Sequence, residues 1–247
     1  MRDLSTILRN AVADCMQETR MQKARPRFCF PVDTETAAGL LAESYRVEVE
    51  ARRMNYAPVQ DTAAEIRGVA KWLTSPDLKG SLLLYGRPGT GKTTMALAIQ
   101  RTARRLKSAF GPDGIDRQQR AAGAFFDLDT RRQYEAMEAR VIVPTYCSAL
   151  ELAYLAKEDR DRYTRIVGTG FLIIDDIGPE PKKVNSYGTE YLPIVEAVQV
   201  RYDAMRPTII TTNLGDQELI DGYGLRVLDR LNEMCEKIAY GGASFRK

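Results

Sequence analysis

Apolar positions repeat at two different periods along this chain, and the change of period divides it. In residues 3–18, Leu4, Ile7, Leu8, Ala11, Val12 and Cys15 recur at three- and four-residue steps, the mark of an amphipathic helix. Pro26 and Pro31 then define a loop, and Asp33 is placed to cap a second helix running to about residue 53. Pro58 interrupts before a third helix beginning near Asp61, with Ala63, Ile66, Ala70 and Leu73 on one face and Pro76 as its stop.

From residue 81 onward short apolar runs alternate with helical stretches. Strands are expected at 81–85, 141–145, 171–174 and 207–212, and helices at 93–106, 148–157 and 189–205, with short helices after residue 212. Such alternation predicts an α/β fold, a parallel sheet with helices on both faces. Right-handed crossovers would align the strand C-termini along one edge, where ligands bind. Residues 107–140 fit least well. Gly111, Pro112, Gly114 and Gly123 suggest a loop, 129–140 a charged helix, and the whole stretch an insertion.

Composition narrows the class. A chain of 247 residues with 44% hydrophobic and 28% charged residues has the make-up of an ordinary globular protein. It lacks an apolar run long enough for a membrane span, and charges at Arg2, Asp3, Arg9 and Asp14 break any secretory core, so a cytoplasmic protein is expected. With no histidine, and with Cys15, Cys29, Cys147 and Cys235 scattered, the sequence predicts free thiols and excludes histidine-based catalysis. Net charge is +3, and residues 1–27, with six basic and three acidic side chains, hold an equal excess.

The chemistry concentrates in four places. Residues 86–93, GRPGTGKT, match G-x-x-x-x-G-K-[ST] between a predicted strand and a predicted helix. Gly86, Pro88, Gly89, Thr90, Gly91, Lys92, Thr93 and Thr94 are the expected nucleotide-binding set. Glycines let backbone N–H groups curl around phosphate oxygens, and the helix adds its positive dipole end. Lys92 would reach the outer phosphates of ATP and Thr93 would coordinate Mg²⁺. The run FLIIDD at 171–176 ends a buried strand in two carboxylates, Asp175 for Mg²⁺ and Asp176 for the attacking water. Asn213 follows the 207–212 strand and is a candidate water-positioning residue. Arg226 and Arg230 share one face of a short helix.

GRPGTGKT, FLIIDDIG, TIITTNL, the stretch 226–231 and the terminal Gly242-Ala243-Ser244-Phe245-Arg246 together resemble the DnaC/IstB family of AAA+ ATPases over about residues 60–247. The resemblance implies that Asn213 is a first sensor, Arg230 an arginine finger serving a neighbouring subunit, and Arg246 a sensor in its own chain. It implies an ATP-dependent homo-oligomer acting on single-stranded DNA and, with the 3–18 helix as tether, a replicative DNA helicase as partner. The expected organisation is a helical partner-binding region at 1–57 and an AAA+ P-loop NTPase domain at 58–247, carrying the 107–140 insertion. Glutamate is usual in such ATPases where Asp176 stands, so slow hydrolysis is expected. Two other readings stay open: an IstB-like transposition helper on duplex DNA, and a nucleotide-switched adaptor that scarcely hydrolyses ATP.

Overall fold

The computed structural model describes residues 12–13, 27–52, 60–123, 125–186 and 188–241. The expected helix at 3–18 and the Gly242–Arg246 ending therefore lie outside the described residues, except for Val12 and Ala13, which are helical.

Two helices come first, α1 (Thr34–Glu50) and α2 (Gln60–Thr74). The Asp33 side chain accepts the Thr36 N–H at 2.8 Å, so α1 starts where its cap was expected. Next come β1 (Ser81–Gly86), α3 (Lys92–Phe110), α4 (Pro112–Ala122), α5 (Leu128–Arg140) and β2 (Thr145–Ser148). They are followed by α6 (Ala149–Glu158), α7 (Arg160–Val167), β3 (Leu172–Ile177), a small hairpin of β4 (Val184–Ser186) and β5 (Thr189–Tyr191), and α8 (Pro193–Asp203). The chain closes with β6 (Thr208–Thr212), α9 (Asp216–Tyr223), α10 (Leu225–Met234) and β7 (Cys235–Tyr240).

Five strands pair in parallel in the order β2-β3-β6-β1-β7. Alternate residues of the central strands feed opposite faces, as the strand period of two requires. Leu82, Leu84, Ile173 and Ile209 join Leu41, Trp72 and Ile99 under α1–α3. Leu83, Leu172, Ile174 and Ile210 join Leu152, Ala197 and Leu231 under α6–α10. Both faces are covered, which is why these strands read as unbroken apolar runs. The α/β P-loop architecture expected from the sequence is the one present.

Several boundaries differ from expectation. The stretch 107–128 holds more helix than expected, since α3 runs on to Phe110 and Pro112 opens α4 at its first turn, while α5, capped by Asp127, matches the helix expected at 129–140. Gly114 lies inside α4 because α4 packs hard on α3, where a Cβ would sit 2.3 Å from the Ala109 carbonyl oxygen. The second strand begins at Thr145 rather than 141, since Pro144 has no N–H and the ladder starts with Thr145 N to Phe171 O at 2.9 Å. The 189–205 helix starts only at Pro193, after β5. An edge strand, β7, was not expected at all. Phe30, Leu41 and Tyr45 share one core with Leu82, Leu84 and Ile173 of the sheet.

Candidate functional site

Gly86 ends β1 with φ 136°, and a Cβ there would lie 2.2 Å from the carbonyl oxygen of Tyr240 on β7. Gly91 opens α3 with φ 96°, and its Cβ would strike the Tyr45 hydroxyl at 2.3 Å. Both positions need glycine for backbone angle and for space. Between them, the Thr90 hydroxyl bonds the Arg87 carbonyl at 2.8 Å and braces the loop from inside, while Pro88 is exposed. Lys92 is buried, its ammonium donating to the carbonyls of Gly86 at 2.8 Å and Arg87 at 2.7 Å. Positive charge is thus gathered where a phosphate chain would lie.

Asp175 and Asp176 emerge at the end of β3, where the register with β6 shifts between Ile174 and Ile177. Asp176 takes φ 59°, a left-handed conformation that aspartate tolerates better than most residues. Asp175 is buried. Its Oδ1 accepts from the hydroxyls of Thr93 at 3.0 Å and Thr211 at 2.6 Å, and its Oδ2 from the Tyr146 hydroxyl at 2.7 Å. The Thr211 oxygen also accepts the Asp176 N–H at 2.8 Å, and Asn213 Nδ2 donates to Asp176 Oδ1 at 3.1 Å.

Lys92, Thr93, Asp175, Asp176 and Asn213 lie together at the C-terminal edge of the sheet. The Thr94 hydroxyl instead accepts from Arg52 Nη1 at 2.7 Å, so that side chain turns towards the end of α1. Arg230 does not join the cluster. Its guanidinium lies 5.5 Å from the Tyr202 ring centre, on the helix that leads into the start of β7. Arg246 is outside the described residues.

Sequence reasoning missed four contributors. Tyr146 and Thr211 orient Asp175, and only strand register could have revealed them. Burial, aided by the bond to Asp175, pushes the Tyr146 phenol well above its ordinary range, so it acts as a donor. Glu65 on α2 is buried, and burial reinforced by Asp61 raises its carboxyl to about 7 against the opposing pull of Lys92. Beyond Asp176, buried Glu180 accepts from the Gly178 N–H at 2.8 Å, from Lys182 at 3.2 Å and from the Tyr223 hydroxyl, tying this loop to α9.

The residues present suit a magnesium-bound nucleoside triphosphate. The glycine cradle admits close backbone approach, and the Thr93 hydroxyl beside the Asp175 carboxylate is an all-oxygen pair of the kind hard cations take. Thr93 and Asp175 would hold the ion, which would neutralise phosphate charge when bound. Asp176 and Asn213, linked to each other, could accept a proton from a water and orient it.

No sequence model of a known family matches the chain, and no curated protein does. Solved structures similar to it include the DnaC helicase loader, at 18% identity and TM-score 0.46, covering 75% of this chain and 93% of that one. DnaI is similar at 16% identity and TM-score 0.49, covering 80% and 93% respectively. AMPPCP-bound DnaA from Aquifex aeolicus is similar at 16% identity and TM-score 0.46, covering 75% of this chain and 48% of that chain.

Proposed function

We propose that the protein is an ATP-controlled loader of a replicative DNA helicase, its ATPase a timer for assembly on single-stranded DNA. The observation that carries this reading is the separation of Arg230 from its own phosphate loop. Tyr202 lies at the end of α8, the helix that leads into β6, and α10 runs directly into β7, so both approach the strand N-termini. The loop lies at the strand C-termini. If Arg230 serves a nucleotide, an arginine so situated would reach one in a neighbouring copy, and ATP would then be a ligand of the assembly as much as of the chain. The motif resemblance described above supports the same reading, with residues 1–30 as the tether to the helicase.

Arg230→Ala should bind ATP as the parent does and lose DNA-stimulated turnover by roughly 10³-fold or more, the worth of a finger in related phosphoryl transfer. Unchanged turnover would remove the intersubunit site. Capture of the host's replicative helicase should require residues 1–30; equal capture by full-length and truncated protein would remove the tether.

Asp176 favours a second reading, a switched adaptor with very slow hydrolysis. Its carboxylate is one methylene shorter than the usual glutamate and already engages Asn213. Tight ATP binding without DNA-stimulated phosphate release would select that reading.

A further inference from the structure

The inserted helix α4 gives the molecule a second charged feature, away from the phosphate loop. Along one face of α3, Leu97, Arg101, Arg104, Arg105 and Ser108 follow at helical spacing. Arg117 of α4 closes that face, with Nη2 donating to Ser108 Oγ at 3.2 Å. Together they line a groove of about 410 Å³ whose single acidic wall residue is Glu48 of α1. Glu48 is engaged by Arg101 Nε at 2.6 Å. Among the described residues neither Arg104 nor Arg105 makes an ion pair, and Glu43, the acid facing Arg105, is itself bound by Arg46 at 2.6 Å. Four arginines against one glutamate make this groove as basic as the whole chain, whose net charge is +3.

The groove continues past Leu97 and Arg104 into a second hollow bounded by Pro144 and Tyr146. One end is thus cationic and the other apolar and aromatic. An acidic peptide would use the first end only. A nucleic-acid strand uses both, guanidinium forks on its phosphates and a ring and apolar surfaces against its bases. Tyr146 is also the residue that donates to Asp175. We infer that this groove binds the backbone of single-stranded DNA, and that the strand lies against the residue that orients the Mg²⁺-holding carboxylate of the ATP site. The inference rests on the loader reading and gives its DNA a place.

Arg104 and Arg105 are exposed, so their replacement leaves packing intact. With full-length protein and fluorescein-labelled oligothymidylate, R104E/R105E should bind roughly tenfold or more weakly by anisotropy, and the log–log salt slope should become shallower by about 1.4. Arg132→Glu, on α5 outside the groove, should bind as the parent does. If R104E/R105E melts early, R104Q/R105Q takes its place with the same expectation for the slope. Equal affinity of variant and parent, or polyglutamate displacing the oligonucleotide at lower concentration than unlabelled oligothymidylate, overturns the proposal. Such a result leaves the loader reading standing, because that reading falls on helicase capture and on Arg230→Ala turnover, neither of which depends on Arg104 or Arg105.

Discussion

Lys92 and Arg201 are both buried cations held mainly by carbonyl oxygens, and they stand at opposite edges of one sheet. Arg201 has no exposure. Its guanidinium reaches the carbonyls of Val167 at 2.7 Å, Thr169 at 2.9 Å and Pro207 at 2.6 Å, and the Thr208 hydroxyl at 2.6 Å. Burial, with Arg206 nearby, lowers it to about 9, still charged at neutral pH. Its partners are the lead-in segments of β3 and β6, so it staples the strand starts with four of its five N–H donors spent on the fold. The acceptors of Lys92 are instead the carbonyls of a loop held open by positive-φ glycines. A cation whose partners are fixed contributes stability; one whose partners form a ligand cradle contributes binding.

The sharpest way to break this comparison is Arg201→Leu, which takes their guanidinium donor from the Val167 and Thr169 carbonyls and removes one bond each from the Pro207 carbonyl and the Thr208 hydroxyl. A loss of about 3–5 kcal/mol in chemical denaturation is expected, with nucleotide affinity of the folded fraction unchanged. A variant as stable as the parent would show that the staple is redundant.

Glu65 probes the loop edge through pH. Its folded carboxyl titrates near 7 against 4.5 for the free side chain, so between those values the folded state holds a proton that the unfolded state has lost. Stability must then fall as pH rises from 4.5 to 7 and level off above, by on the order of 3 kcal/mol at most. Comparing denaturation midpoints of the parent and Glu65→Gln isolates this contribution: the difference between them should vary over that window. A constant difference would mean that Glu65 ionises normally.

Lys92→Ala should weaken ATP-analogue binding about 10- to 100-fold, roughly 2 kcal/mol, with far less effect on melting than Arg201→Leu. If melting falls as much as binding does, Lys92 is a staple too. The mildest change is Tyr146→Phe, which removes one donor from Asp175 while Thr93 and Thr211 remain. About fivefold weaker Mg²⁺-dependent nucleotide binding is expected, roughly 1 kcal/mol. Titrating Mg²⁺ at fixed nucleotide would reveal the difference, and identical curves would assign Tyr146 to packing alone.

What could be read from the sequence was whatever local spacing encodes. The turn at 86–91 between β1 and α3 was legible because its glycines and Lys92 occupy fixed offsets. The Asp175–Asp176 pair was legible because four apolar residues running into two carboxylates mark a buried strand that carries its charge towards one end. β7 was not, since its Glu236 and Lys237 interrupt the apolar run and it follows α10 without a turn. The charged helix expected at 129–140 is present as α5, whereas α4 was hidden by Gly111, Pro112 and Gly114, which here serve a helix start and a close helix crossing instead of a loop. Tyr146, Thr211 and Glu65 act through pairing and burial, which no linear pattern carries.

The contact between Gly86 and Tyr240 ties two distant stretches of sequence to one another. Because the Tyr240 carbonyl occupies the space a side chain at position 86 would need, any inherited change at that glycine demands a compensating shift of the last strand. Among close relatives, then, position 86 should be fixed, and insertions or deletions within 235–240 should be rare. Strand β7 evolves under the constraint of the glycine loop after β1, although more than 150 residues separate Gly86 from Tyr240 in the sequence.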